Sequence, residues 1–293
     1  MKDFKPVEIT DREKVLNLLG NSDCPTLEYN FTTMFIWQKI YGIEICEHNG
    51  FLHERTADNV FLFPAGKGDI KKETDFISDI VKKTGKPLKF FSLSPQHKAF
   101  LEENYPGRFS FEEIRDSEDY VYTADSLRSL AGKKLSSKRN HINRFIENNP
   151  DWSYEAFNDK NIEEAMSMHD KWCEGVNCDE SESLQEETCA VKRAFKYYNE
   201  LGLSGGILRI ADGVCAFSMG DRLNNSTFLV HIEKAFADVQ GAYPMINKQF
   251  VINNCDGYEF INREDDAGDE GLRKAKLSYR PHQILTKYKA TEI

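Results

Sequence analysis

Periodic and alternating apolar residues divide the chain into two successive runs of elements. Val15, Leu16, Leu18 and Leu19 mark a short amphipathic helix over 11–20 that Gly20 stops. Phe31, Met34, Phe35, Trp37 and Tyr41 recur near the helical period, which predicts a second helix ended by Gly42. Three strand-like runs follow, GIEICEH, FLHER and NVFLFP, the first two separated by the hairpin signal Asn49-Gly50. A helix over 69–84, the strand KPLKFFSLS, a helix over 95–104 and the strands FSFEEI and DYVYTA complete the first run.

The stretch 126–149 reads as helix, break at Gly132 and helix, closed by Pro150. The strand SYEAF and helices over 160–173 and 184–200 come next. Three strands, GGILRIAD, VCAFSMGDRL and TFLVHIEKA, are then separated by Asp212-Gly213 and Asn224-Asn225 turns. A helix over 242–254, the strand YEFIN, a helix over 269–278 and a final strand QILTKYKA end the second run. The two runs share one element order without a visible sequence repeat. The expectation is two related α/β units in tandem, 1–125 and 151–293, joined by a basic helical connector over 126–150.

Composition narrows the class. With 40% hydrophobic residues, 20 Phe and 12 Tyr the chain can bury a sizeable core and is not disordered. Its net charge of -10 repels a phosphate backbone as a whole, so nucleic-acid contact requires a local basic patch. The most apolar stretch, 31–45, contains Thr32, Thr33, Gln38 and Lys39 and falls short of the roughly 20 apolar residues that span a bilayer, so no transmembrane segment is expected. The charged N-terminus lacks the apolar region of a secretory signal, and seven cysteines without a Cys-x-x-Cys pair read as reduced thiols, which together point to the cytoplasm.

Three segments carry candidate chemistry. Residues 126–146 hold Arg128, Lys133, Lys134, Lys138, Arg139, His141 and Arg144 and no acid, a positive island that suits a polyanion as well as it suits a solvated helix face. Residues 263–281 begin at the carboxyl end of the YEFIN strand, where open α/β sheets place their ligands. There Asp265 and Asp266 precede the helix, Asp269 is a natural N-cap, and Arg273, Lys276 and Tyr279 are spaced by three and reach one groove, although an ordinary capped helix explains part of the pattern. In 227–250, His231 and Glu233 share one face of a strand, a possible general-base site, and Gln240-Gly241-Ala242 precedes a helix whose free N–H groups suit a phosphate. A core histidine and a turn glycine explain the same residues equally well.

Other constellations fail. His169, Cys173 and Cys178 match no standard zinc spacing, and neither a P-loop nor a Gly-x-Ser-x-Gly elbow is present. A kinase, an NTPase and a serine hydrolase therefore have no support.

The stretches YNFTTMFIWQKIYGIEICEHNGFL (29–52), FLFPAGKGD (61–69), DYVYTADSLRSLAGKKLSSKRNHINRF (119–145) and NREDDAGDEGLRKAKLSYRP (262–281) resemble the phosphatidylglycerol lysyltransferase C-terminal domain family. The resemblance implies an α/β (α+β) chain of two tandem GNAT-like acyltransferase units, each a mixed, mainly antiparallel sheet flanked by helices, similar also to the Fem aminoacyltransferases of peptidoglycan synthesis. The best-known members move an aminoacyl group from aminoacyl-tRNA to a lipid hydroxyl and carry a large transmembrane domain besides.

The expectation that follows is a soluble acyl- or aminoacyltransferase, catalytic in its second unit and acting on an amine or hydroxyl acceptor that is a small molecule or a lipid headgroup. By this resemblance Tyr279 serves as general acid and Glu233 as base, with His231 close by. Asp266 or Asp269, beside Asp265, holds a donor ammonium, and Arg273 and Lys276 face phosphate or carboxylate. Lys134, Lys138 and Arg139 hold the donor's phosphates. No metal or cofactor is required, and tRNA is the expected partner of the basic patch. Two alternatives are an acyl-CoA-dependent N-acyltransferase, with Gln240 and Gly241 in the pyrophosphate turn, and a non-catalytic ligand-binding module of the same fold.

Overall fold

The structure, a computed structural model, describes residues 4–20 and 24–293. It divides into two units. The first comprises the chain up to Asp119 together with Asp265–Asp269 and Ile284–Ile293, and the second comprises Tyr120–Glu264 and Glu270–Gln283. Among the described residues no helix is long and apolar enough to cross a membrane.

The first unit is built on a sheet ordered Lys5–Pro6, Glu44–His48, Phe51–Arg55, Val60–Phe61, Lys89–Leu93, Tyr288–Glu292, Phe109–Glu113. Asn49 and Gly50 both have positive φ, 51° and 80°, and join two strands in the register His48↔Phe51, the two-residue hairpin that the Asn-Gly pair predicts. Helices Ile70–Lys82 and Pro95–Asn104 cover the sheet. Their apolar faces meet Phe61, Phe63, Leu88, Phe90 and Leu93 in a core centred on Ile77, Val81 and Leu101, each such side chain contributing about 1.5–3 kcal/mol by leaving water. Helix Phe31–Tyr41 starts where Asn30 accepts the Thr33 N–H and stops at Gly42 in the left-handed region. Its first six residues are all buried, so it is a core helix.

The second unit has strands in the order Asp119–Thr123 (from Tyr120 on), Phe260–Asn262, Thr227–Ala235, Gly213–Arg222, Ser204–Ile210, Ser153–Ala156. Thr227–Ala235 and Phe260–Asn262 run parallel, and the other pairs are antiparallel. Helix Ala242–Asn254 lies on the three central strands and on helices Ala124–Ser129 and Ser136–Asn148.

Three boundaries differ from the sequence expectation. Tyr120–Thr123 pairs with Phe260–Asn262 in the second sheet and not in the first. The 126–150 stretch is not a connector, because Leu127, Leu130, Leu135, Ile142 and Phe145 are buried within the second unit. The final run QILTKYKA is two strands, and the latter, Tyr288–Glu292, returns to the first sheet between Lys89–Leu93 and Phe109–Glu113. Strand pairing over such separations leaves no local mark in a sequence.

Lys287 holds that return. Its ammonium is fully buried and donates to Glu28 at 2.8 and 3.0 Å and to Asp119 at 2.6 Å, while the second Asp119 oxygen accepts the Leu27 N–H at 2.8 Å. Burial alone would pull the Lys287 pKa down, but the two carboxylates outweigh it and raise it. Replacing Lys287 by Met strands two acids in the core, so urea denaturation is expected to show a loss of about 3–5 kcal/mol. An unchanged midpoint would show that the cluster does not hold the strand.

Candidate active site

The parallel pair Thr227–Ala235 and Phe260–Asn262 brings two carboxyl ends to one edge of the second sheet, and the polar cluster of that unit forms there. Glu233, near the end of its strand, accepts from Arg263 Nη2 at 2.8 Å through one oxygen and from Asn247 Nδ2 at 2.8 Å through the other. Asn247 comes from helix Ala242–Asn254, where it lies on the buried side with Met245, Ile246 and Phe250. The Arg263 guanidinium lies 4.7 Å from the ring centre of Tyr279 and 5.6 Å from that of Tyr122, whose rings meet edge to face. Lys138, from helix Ser136–Asn148, places its ammonium 4.0 Å from the Tyr279 ring centre.

Two cations thus share one aromatic ring and one carboxylate. Burial and the neighbouring Arg263 pull the Lys138 pKa down to about 8, with Glu233 opposing them. Burial raises the Tyr279 pKa, which keeps its hydroxyl protonated near neutral pH. Two buried polar atoms are left over, Nη1 of Arg263 as a donor and Oδ1 of Asn247 as an acceptor, and neither has a partner. A donor and an acceptor without partners beside an excess cation can bind an anionic, carbonyl-bearing ligand.

The structure sorts the sequence-derived residues. Glu233, Lys138 and Tyr279 come together. Glu233 enters as an anchored anion with both oxygens engaged and not as a free base. His231 shares its strand face, but its ring donates to Asp221 at 3.1 Å and Glu264 at 2.9 Å and is 1% exposed. Burial lowers its pKa, yet the two acids outweigh that and raise it to about 9, so His231 is a buried cation engaged by two acids. Lys276 is buried and donates to the Arg263 carbonyl at 2.6 Å, a support for the loop. Arg139 donates through one guanidinium nitrogen to the carbonyls of Leu130 and, at 2.8 Å, of Gly132, where the preceding helix ends. Gly241 has φ 84°, and a Cβ there would stand 2.2 Å from the His141 carbonyl oxygen, so close helix packing accounts for it and a phosphate turn is not needed. Gln240 and Lys134 are exposed and Arg273 is half-exposed.

Asp265, Asp266 and Asp269 belong to the first unit. Asp266 is fully buried, 3.6 Å from Arg115, and accepts the Gly268 N–H at 3.0 Å; Asp265 accepts the Ala267 N–H at 3.2 Å. Asp269 is exposed beside the helix that starts at Glu270. The buried Asp266 is therefore engaged by Arg115 and by its own loop. Arg263, Asn247 and Tyr122 join the cluster without having stood out in the sequence pattern. A cation directly after the YEFIN strand was a readable signal for Arg263, whereas an asparagine among apolar helix neighbours gave only a weak one for Asn247.

Comparison with known proteins sets this geometry in a lineage. A conserved protein of unknown function from Bacteroides thetaiotaomicron has a crystal structure 35% identical to this chain, covering 100% of both chains with a TM-score of 0.96. The structure of L-PGS from Bacillus licheniformis is 15% identical with a TM-score of 0.67 over 100% of this chain and 94% of that one. A GNAT-family acetyltransferase from Colwellia psychrerythraea shares the fold at 8% identity, with a TM-score of 0.51 and 99% of both chains covered. Among curated proteins, an uncharacterized protein of Mycoplasmoides gallisepticum is 25% identical over 186 residues, 62% of this chain, and the match spans only 58% of that relative's length. The fold is a tandem of GNAT-like units. The family described as phosphatidylglycerol lysyltransferase, C-terminal, matches residues 24–291, and the chain belongs to it.

Proposed function

We propose that this chain is an aminoacyltransferase that moves an aminoacyl group from aminoacyl-tRNA to an amine or hydroxyl acceptor, a lipid headgroup among them. The observation that carries the reading is the second-unit cluster in which Lys138 and Arg263 face a single carboxylate, with Arg263 Nη1 and Asn247 Oδ1 unpartnered. The family membership and the acyltransferase fold support it.

In this reaction the acceptor attacks the ester carbonyl carbon, the carbonyl oxygen becomes an oxyanion, and the bond to the ribose oxygen breaks. Arg263 Nη1 donates to the oxyanion, and Asn247 Oδ1 accepts from the donor's ammonium. Tyr279 gives its proton to the departing ribose oxygen and recovers one from the acceptor, so the proton count closes. Lys138 faces the donor's terminal phosphate. Glu233 acts by holding Arg263 and Asn247 in register. An acyl-CoA donor is the second reading, favoured by the fold shared with an acetyltransferase. The tight packing of Gly241 against the His141 backbone supplies a reason for that glycine other than a phosphate turn.

Transfer of a labelled amino acid from aminoacyl-tRNA to vesicles containing phosphatidylglycerol, or to a free amine, tests the reading, with acetyl-CoA in a parallel assay. Tyr279→Phe keeps the ring under both cations and is expected to lower turnover by roughly 10²–10⁴-fold while donor affinity changes little. Turnover equal to the wild type removes Tyr279 from the chemistry, and transfer from acetyl-CoA alone selects the second reading.

The position of Lys138 predicts a pH dependence. Its ammonium is charged below about 8 and neutral above, so affinity for an anionic donor is expected to fall as pH rises through that value. In Lys138→Arg the cation persists and the fall is expected to vanish from a fluorescence or calorimetric titration. The same fall in both proteins would show that another group sets it.

A further inference from the structure

The first unit carries a second constellation that plays no part in this chemistry. His48 ends the Glu44–His48 strand, His53 lies in Phe51–Arg55, and Glu73 sits in the first turn of helix Ile70–Lys82. In the hairpin register His53 is opposite Cys46, so His48 and His53 fall on one sheet face two residues apart across the pair. His48 Nδ1 is 2.8 Å and His53 Nε2 is 2.9 Å from the same oxygen, Oε2 of Glu73. The three ligating atoms lie within 4.8 Å of one another, and His53 and Glu73 are buried. Among the described residues no lysine or arginine pairs with Glu73; its other oxygen accepts from Asn49 at 3.0 Å.

We propose that His48, His53 and Glu73 form a binding site for a zinc-type divalent ion. Two imidazole nitrogens and one carboxylate are a donor set that suits zinc and does not suit magnesium or calcium, which take oxygen ligands. Zinc bonds of about 2.0–2.2 Å require these atoms to stand a few tenths of an ångström further apart than they do, a shift that the first turn of one helix can absorb. The ion compensates a carboxylate whose side chain is 2% exposed and whose partners are imidazoles and an amide. Phe76 stacks on His48 at 3.8 Å between ring centres and fixes the ring plane. His48 is the one ligand open to solvent, with 26% of its side chain exposed, so entry and a fourth ligand, a water, lie on its side. Bound there, the ion ties the hairpin to the helix that covers it.

Metal content by mass spectrometry and calorimetric titration of chelator-treated full-length protein with Zn²⁺, and with Mg²⁺ as control, test the site. The wild type is expected to bind one Zn²⁺ per chain with a rise in melting temperature and to ignore Mg²⁺. His48→Ala truncates the most exposed ligand and is expected to fold, yet to lose roughly 100-fold or more in zinc affinity. Cys173→Ser is expected to bind as the wild type does, which separates this site from thiols. No zinc uptake by the wild type, or equal uptake by His48→Ala, overturns the proposal and leaves the three residues as a hydrogen-bonded triad.

Discussion

The Glu233–Arg263 pair is the constraint on which the second unit's polar cluster depends. Both side chains are 11% exposed, so each gives up most of its hydration, and a pair so placed gains its keep only when the remaining polar atoms are matched. Asn247 matches one carboxylate oxygen, and the faces of Tyr279 and Tyr122 receive the guanidinium. One arm of Arg263 is thereby committed to Glu233, which fixes the direction of the other. Removing Glu233 would leave the buried Arg263 cation, with Lys138 nearby, without its carboxylate counter-charge.

The buried Lys287 cluster of the first unit follows the opposite design. Lys287 donates to two carboxylates, and Asp119 uses its second oxygen on the Leu27 N–H, so this cluster is closed. It ties a turn, a strand start and the returning C-terminal strand into one core. Arg263 Nη1 and Asn247 Oδ1 are open by contrast. A closed network of equal burial serves stability, whereas leaving a donor and an acceptor unmatched costs about 1–3 kcal/mol for each, a cost that a ligand can recover on binding. On the proposed function, that difference, more than burial or charge alone, separates a structural cluster from a binding one.

Local elements were legible where local physics dictates them. Asn49-Gly50 accepts two positive φ values and so marks a hairpin, Gly42 ends its helix by the same freedom, and the period over 242–254 survives because that helix has one face on the sheet. The destination of Tyr120–Thr123 and of Tyr288–Glu292 was not legible, since both pair with strands far away in sequence. Site reading failed in the same way. Spacing on a helix placed Arg273, Lys276 and Tyr279 together, yet Lys276 turns inward to a carbonyl and Tyr279 meets Lys138 from a distant helix. Arg139 and Lys138 are neighbours in sequence with unlike fates, one closing a helix end and the other entering the site, and only the packing of Leu130, Ile142 and Phe145 decides which.

Charge of -10 on the whole chain does not forbid a polyanionic donor, because at physiological salt the Debye length is about 8 Å and remote acids are screened. What an approaching phosphate backbone meets is local. Lys133, Lys134, His141 and Arg144 are exposed on the same acid-free stretch whose Lys138 reaches the Tyr279 ring. Exposed lysines and arginines act through counterion release and weaken with salt, while a half-buried ammonium is shielded from salt but sensitive to pH through its lowered pKa. On the aminoacyl-tRNA reading the two kinds of cation therefore divide the work: the outer ones capture the polyanion, and Lys138, next to Arg263 and Tyr279, acts on the end of it that carries the reacting ester.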